Sequence, residues 1–270
     1  ADGGDGGSQD STCEILAKYD DFIIWTSEPD EGQADAVNKG IQKTSGDIIA
    51  WINSDDIYYP KALKKVESCF EENPEIEVVY GDADWIDSND SILKEFPTEH
   101  WNYQRLKETC FLCQPAVFFK RSLVERYGAL EDMLQFCMDY ELWLRYGKYV
   151  DFFRINAKLA GSRMYSANKT IGQSLAAHAE IVEMFQRRQT RVPANWLLGY
   201  SLIKVEQEYG INRFDREQTI KFVSLLVKFS LVELVKFNKI ALFKVSPKMV
   251  LWFLLPELAW FRREEILDLV

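Results

Sequence analysis

The chain is poor in cysteine and places what it has badly for cross-linking: Cys13, Cys69, Cys110, Cys113 and Cys137 are odd in number and scattered over 270 residues. That argues against a disulfide framework and for a reducing, cytoplasmic setting. Cys110 and Cys113 have CxxC spacing, yet no second pair and no nearby histidine completes a zinc site. A basic-then-apolar leader is lacking, so secretion is not expected, and without an initiator Met, Ala1 is not expected to be the natural start. Long hydrophobic runs are also lacking. The longest, Met249 to Phe261, is broken by Pro256 and Glu257 and falls short of the ~20 residues of a bilayer span. Positive charge is in deficit: a formal net charge of -10 argues against non-specific nucleic-acid binding as the main activity. The charge is uneven, with acids dominating up to about Glu99 and bases after Ile220.

What is present is alternation. The apolar run Asp47-Ile48-Ile49-Ala50-Trp51-Ile52 has the length and continuity of a strand covered on both faces and stops at Asn53-Ser54-Asp55-Asp56. Ligands of open α/β sheets bind beyond the carboxyl ends of strands, where adjacent carboxylates call for a cation. Asp55 and Asp56 are therefore a candidate divalent-metal site or, on the bland reading, a solvated turn before the next helix. Around this strand the spacing predicts strands at Phe22–Trp25, Ile76–Tyr80, Gln114–Phe119 and Val150–Phe153, the Ile76–Tyr80 strand ending in acids at Asp82 and Asp84. It predicts helices over Gln33–Lys43, Pro60–Glu72, Arg121–Tyr127, Cys137–Arg145 and Asn168–Arg188, and a hairpin-like excursion over Ile86–Phe96. Strands alternating with helices indicate an α/β, Rossmann-like fold with a mainly parallel sheet and helices on both faces. The glycine-rich opening at residues 1 to 12 reads either as backbone shaped for close approach to a ligand or as a flexible terminus.

Four stretches, Asp5 to Thr12, Glu28 to Gly40, Gly46 to Asp56 and Asp139 to Arg145, resemble the family 2 glycosyltransferases of the GT-A fold, in that family's order. The resemblance spans roughly residues 5 to 170 and implies inverting transfer of a sugar from a nucleotide-sugar donor to an acceptor hydroxyl. It places Asp5, with Ser8 in the same turn, at the nucleotide base, and Asp30, Gly32 and Asn38 along the donor pocket. It aligns the DxD motif with Asn53-Ser54-Asp55, extended by Asp56, to hold Mg²⁺ or Mn²⁺ on the diphosphate; the first acid of that motif is Asn53 here. Asp139 takes the place of the catalytic base, with Met138 where an acid often precedes it; a first-turn Asp can also be only a helix cap. Gln114 falls beside the acceptor site, and Arg163 and Lys169 near the diphosphate. The strand and helix that open the family's domain are absent, which would leave an open sheet edge.

From Asn195 onward strands give way to helices with wide apolar faces and lysines, so the chain divides into a catalytic domain over 1–190 and a helical, basic-amphipathic tail over 191–270. The tail suits either an anionic membrane surface or packing on the catalytic domain or a second subunit. The expectation is a metal-dependent hexosyltransferase acting on a glycan or lipid-linked acceptor in cell-surface polysaccharide or glycolipid synthesis, peripheral at the inner membrane face, with no nucleic-acid partner. A non-catalytic nucleotide-sugar-binding protein and a nucleotidyltransferase are the rivals.

Overall fold

The structure is a computed structural model and describes residues 2–165, 172–188, 190–211 and 218–254. Its contacts divide the chain into two compact units, 1–106 with 110–168, and 107–109 with 169–270. The predicted helix ending at Arg188 therefore belongs with the second unit, although the sequence reading put it in the first domain.

In the first unit, β1 (Asp2–Asp5) pairs in parallel with β2 (Ile24–Ser27) as a two-stranded sheet, with α1 (Thr12–Leu16) between them in sequence. Helix α2 (Gln33–Lys43) buries Ala34 and Ile41 and begins at Gly32, whose φ of 130° an L side chain rarely adopts. A separate six-stranded sheet contains β3 (Ile48–Ile49), β4 (Ile57–Tyr58), β5 (Val78–Ile86), β6 (Ile92–Glu95), β7 (Val117–Lys120) and β8 (Phe152–Arg163), ordered β3-β7-β5-β8-β4 with β6 paired to β5.

That sheet corrects the expectation of a mainly parallel one. Only β5 with β8 is parallel, while β3–β7, β4–β8, β5–β6 and β5–β7 are antiparallel. The apolar run at 47–52 is likewise a strand only at Ile48–Ile49, with Ile48 and Ile52 exposed. Strand β5 runs past the expected acidic end and carries Asp82 and Asp84 within it, each paired to a base on β8: Arg154 at 2.6 Å and Lys158 at 2.7 Å. Gly81 is required here, because a Cβ would lie 2.6 Å from the Ala157 carbonyl and from the Leu159 side chain where the β5–β8 register shifts.

Helix α3 (Ala62–Glu72) seals one side of the sheet with Ala62, Val66, Cys69 and Phe70, at positions that share one helical face. After α4 (Tyr103–Glu108) and α5 (Arg121–Tyr127) comes α6 (Met138–Tyr146), buried on nearly every side. Its buried Glu141 carboxylate pairs with Arg145 at 2.8 Å, and Arg145 also donates to the carbonyls of Tyr127 and Ala129, both at 2.5 Å. Breaking a buried pair from one side leaves an uncompensated charge, so this arrangement fixes the helix in place.

The second unit is helical: α7 (Ser174–Arg187), α8 (Ala194–Tyr209), α9 (Thr219–Phe237) and α10 (Lys239–Leu254). Leu197, Leu202 and Val205 of α8 and Phe222, Val223 and Leu226 of α9 are among its buried side chains. Asn238, between α9 and α10, donates to the Val192 carbonyl at 2.8 Å.

Candidate active site

The carboxylate-bearing loop at 53–56 is braced from several sides. Asp56 accepts the Arg163 backbone N–H at 2.8 Å on one oxygen and the Asn53 amide at 3.2 Å on the other. Asn53 in turn accepts from Gln33 at 2.6 Å, tying the loop to the start of α2. The Arg163 guanidinium donates to the carbonyls of Asp55, at 2.6 Å, and Asp87, and to the Asp90 carboxylate at 2.6 Å. The Tyr165 hydroxyl donates to Asp55 Oδ2 at 2.9 Å, which raises the tyrosine's own pKa. Burial raises the Asp56 pKa despite the Arg163 N–H, and the neighbouring Asp55 charge pushes in the same direction.

The other carboxylate of interest is held quite differently. Asp139, half-buried in the first turn of α6, accepts the Tyr140 N–H at 2.7 Å. Loss of water around it pushes its pKa up to about 6, and the backbone N–H groups of Tyr140 and of Asp139 itself only partly offset this. The group is thus ionised at neutral pH while keeping appreciable proton affinity, as a general base requires. The buried Cys113 thiol feels the charges of both Asp56 and Asp139, so it marks where the loop and the helix approach each other. Beside it, Gln114 donates to the Trp51 carbonyl at 2.7 Å, and Trp51 stacks on Trp143 of α6 at 5.6 Å between ring centroids. The Gln114 amide oxygen is buried without a partner, as are the indole N–H groups of Trp51 and Trp143. Two donors and an acceptor in that state call for a ligand or ordered water.

The remaining residues singled out from sequence fall in two places. Asp5 sits at the end of β1 and its carboxylate is saturated: it accepts from the Ser27 hydroxyl at 2.6 Å, the Ser8 hydroxyl at 2.5 Å and the Ser8 and Gly7 N–H groups at 2.9 and 3.2 Å. The Ser27 hydroxyl, then Ser8, holds its pKa well below the usual range. Asp5 and Ser8 thus shape the turn from within. Asp30 packs against that turn, since a Cβ on Gly6 would lie 2.3 Å from its Oδ2, and its Oδ1 accepts the Gly32 N–H at 3.0 Å. A cavity of about 140 Å³ opens here, lined among others by Gly3, Gly4, Asp5, Trp25, Asp30 and Lys39. Asn38 points elsewhere: its amide exchanges hydrogen bonds with Leu130 and donates to Asp132 at 2.6 Å, fastening α2 to the segment before α6. Lys169 lies outside the described residues.

The structure therefore gathers Asn53, Asp55, Asp56 and Arg163 into one cluster, brings Gln114 and Asp139 to its flank through Trp51 and Cys113, and leaves Asn38 apart. Arg163, expected near a diphosphate, braces the loop with its guanidinium. Gln33, Tyr165, Asp87 and Asp90 escaped the sequence reading. Gln33 follows the Gly32 already noted, but nothing in the spacing of Tyr165 announces a contact 110 residues away.

Among the described residues, no three His, Cys, Asp or Glu side chains come together to hold a metal. Among the described residues Asp55 accepts a side-chain hydrogen bond on Oδ2, leaving Oδ1 for a cation, whereas both Asp56 oxygens are engaged. One carboxylate suits a Mg²⁺- or Mn²⁺-type ion whose other ligands are phosphate and water.

Residues 4–128 match Glycosyl transferase family 2. An uncharacterized glycosyltransferase of Rickettsia typhi is 25% identical over 178 residues, covering 61% of this chain and 54% of the relative. The chain spans about half the length of the curated relatives it matches. Among solved structures, S. aureus TarS in complex with UDP-GlcNAc superimposes with a TM-score of 0.54 at 12% identity, over 84% of this chain and 70% of that one. The Pyrobaculum calidifontis mannosyltransferase with GDP-Man and Mn²⁺ gives 0.53 at 11%, over 99% and 75%. At such identities these two share the fold, an α/β GT-A architecture.

Proposed function

We propose that this chain, whose residues 4–128 match glycosyl transferase family 2, is an inverting hexosyltransferase that uses Asp139 as its base. The observation that carries the reading is geometric: Asp139, its pKa pushed up to about 6, sits one turn before Trp143, which stacks at 5.6 Å on Trp51, two residues before the carboxylate loop at 53–56. The acceptor hydroxyl gives its proton to Asp139 as its oxygen forms a bond to the anomeric carbon. The bond from that carbon to the phosphate oxygen breaks on the opposite face, and the electron pair leaves with the nucleoside diphosphate. Such a leaving group needs its developing charge neutralised. Asp55 would hold a Mg²⁺ or Mn²⁺ ion, which when bound supplies that neutralisation. Asp56, Asn53, Gln33 and Arg163 keep the Asp55 loop in register, and Gln114 offers its unpartnered amide oxygen to a sugar hydroxyl. The turn at 5–8 and Asp30 line the nucleotide end of the site.

The donors bound by the two fold neighbours, UDP-GlcNAc and GDP-Man, suggest the class of donor for this chain. The acceptor class we assign is a glycan or lipid-linked sugar of surface polysaccharide or glycolipid synthesis, met at the inner membrane face. No helix among the described residues is long and apolar enough to cross a membrane, so that encounter would be peripheral. A second reading, a non-catalytic nucleotide-sugar binder, is favoured by the separation of β1 and β2 from the main sheet.

Product analysis tests the proposal: UDP-glucose, UDP-GlcNAc and GDP-mannose are incubated with the chain, with Mn²⁺ and with chelator. Metal-dependent release of a free nucleoside diphosphate supports it. Release of a sugar 1-phosphate in place of the nucleoside diphosphate would assign nucleotidyl transfer, and binding without any product would assign the non-catalytic reading.

A further inference from the structure

The second unit carries a surface that the chemistry of the first leaves unused. On α10 the exposed residues Ile240, Phe243, Pro247, Leu251 and Leu254 recur at intervals of three, four, four and three. At about 100° per residue they fall within an arc of about 80°, so they form one apolar stripe along the helix. Phe243 is 81% and Leu254 67% exposed, far from the state of core side chains. Helix α9 adds exposed Val232 and Val235, interleaved with exposed Lys221, Lys228 and Lys236, and Lys239 opens α10. Between residues 219 and 254 the sequence has six lysines and one acid, Glu233, a net charge of +5 in a chain whose total is -10.

We propose that this face of α9 and α10 docks on anionic lipid headgroups, with the apolar stripe inserted among the acyl chains and the lysines at phosphate level. Charge selects this occupant over a second copy, because a twofold contact through the stripe would bring two lysine-rich faces together, whereas an anionic leaflet complements them. Long apolar side chains beside lysines, on helices too short or too polar to span, fit the interfacial mode of binding. The proposal rests on the lipid-linked acceptor reading only for its purpose; its test does not pass through sugar transfer.

The purified chain is sedimented with vesicles of phosphatidylcholine alone and with vesicles in which about a third of the lipid is phosphatidylglycerol. The expected partition coefficient is roughly tenfold or more higher on the anionic vesicles, and it falls with added salt. Phe243→Ser with Leu254→Ser, at exposed positions, removes most of it, and Lys228→Glu with Lys236→Glu abolishes the lipid selectivity. Equal partition into both vesicles, no partition, or full binding by the Ser variant overturns the proposal. So does a concentration-dependent dimer that the Ser variant dissolves, which would give the stripe to a second copy. Donor binding with Mn²⁺ is measured on the same protein: if it persists while vesicle binding fails, the docking surface falls and the enzymatic reading stands.

Discussion

Asp5 and Asp139 are carboxylates of one folded unit placed in opposite surroundings. Asp5 closes β1 in a turn rich in hydroxyl and amide donors, and these pull its pKa down. Asp139 opens α6 beside Cys110 and one turn before Trp143, with few donors, and loss of water pushes its pKa up to about 6. A carboxylate already held by four protein donors takes a proton less readily, so Asp5 fixes the turn that lines the cavity. An under-satisfied one keeps proton affinity and an oxygen to use, so Asp139 is equipped for chemistry. The pH linkage differs in sign as well. The Asp5 contribution is present above the unfolded carboxylate pKa and is lost as pH falls through its depressed folded value. The Asp139 contribution is present below the unfolded pKa and is lost as pH rises through about 6.

Asp139→Asn should produce the largest effect on this contrast, lowering turnover by roughly 10²- to 10⁴-fold while calorimetry shows donor binding retained. Turnover that survives would put the base elsewhere. Trp143→Ala attacks the surroundings instead of the acid: the side chain is fully buried, and its removal should cost roughly 3–5 kcal/mol in a denaturant titration. It should also draw the Asp139 pKa down toward the ordinary range as water enters. Asp55→Ala should weaken donor affinity about tenfold or more in Mn²⁺ and leave affinity in chelator unchanged; equal loss in both would sever Asp55 from the cation. Asp5→Asn should have the smallest effect on chemistry, leaving the acid limb of the rate profile in place while the Gly7 and Ser8 amides lose hydrogen-exchange protection. If Asp5→Asn removes turnover as completely as Asp139→Asn, with the turn intact, the contrast fails.

Much of this was legible from spacing. Helix α2 spans Gln33–Lys43 as read, because Ala34 and Ile41 repeat at the helical period, and α5 stops at Gly128, whose φ of 85° suits glycine. Strand direction was not legible. The apolar run at 47–52 says that a segment is sticky, while its antiparallel partner β7 lies some seventy residues on, at Phe119 and Lys120. The apolar pattern places a strand only at Val150–Phe153, whereas β8 runs to Arg163, with Arg154 and Lys158 paired to Asp82 and Asp84 of β5. In the candidate site, Asp55 and Asp56 stand out by their position after an apolar run, and Asp139 only through the resemblance. What braces them does not, since Arg163, Tyr165 and Cys113 act through contacts between distant parts of the chain that no local pattern encodes.

The most direct test of the central claim is the pH dependence of kcat/KM for nucleoside diphosphate release, compared between the unaltered chain and Asp139→Asn. The account predicts an acid limb with its midpoint near pH 6, set by the desolvated Asp139, and no such limb in the residual rate of the variant. A rate that is flat from about pH 5 to 8, or the same limb persisting in Asp139→Asn, would contradict it.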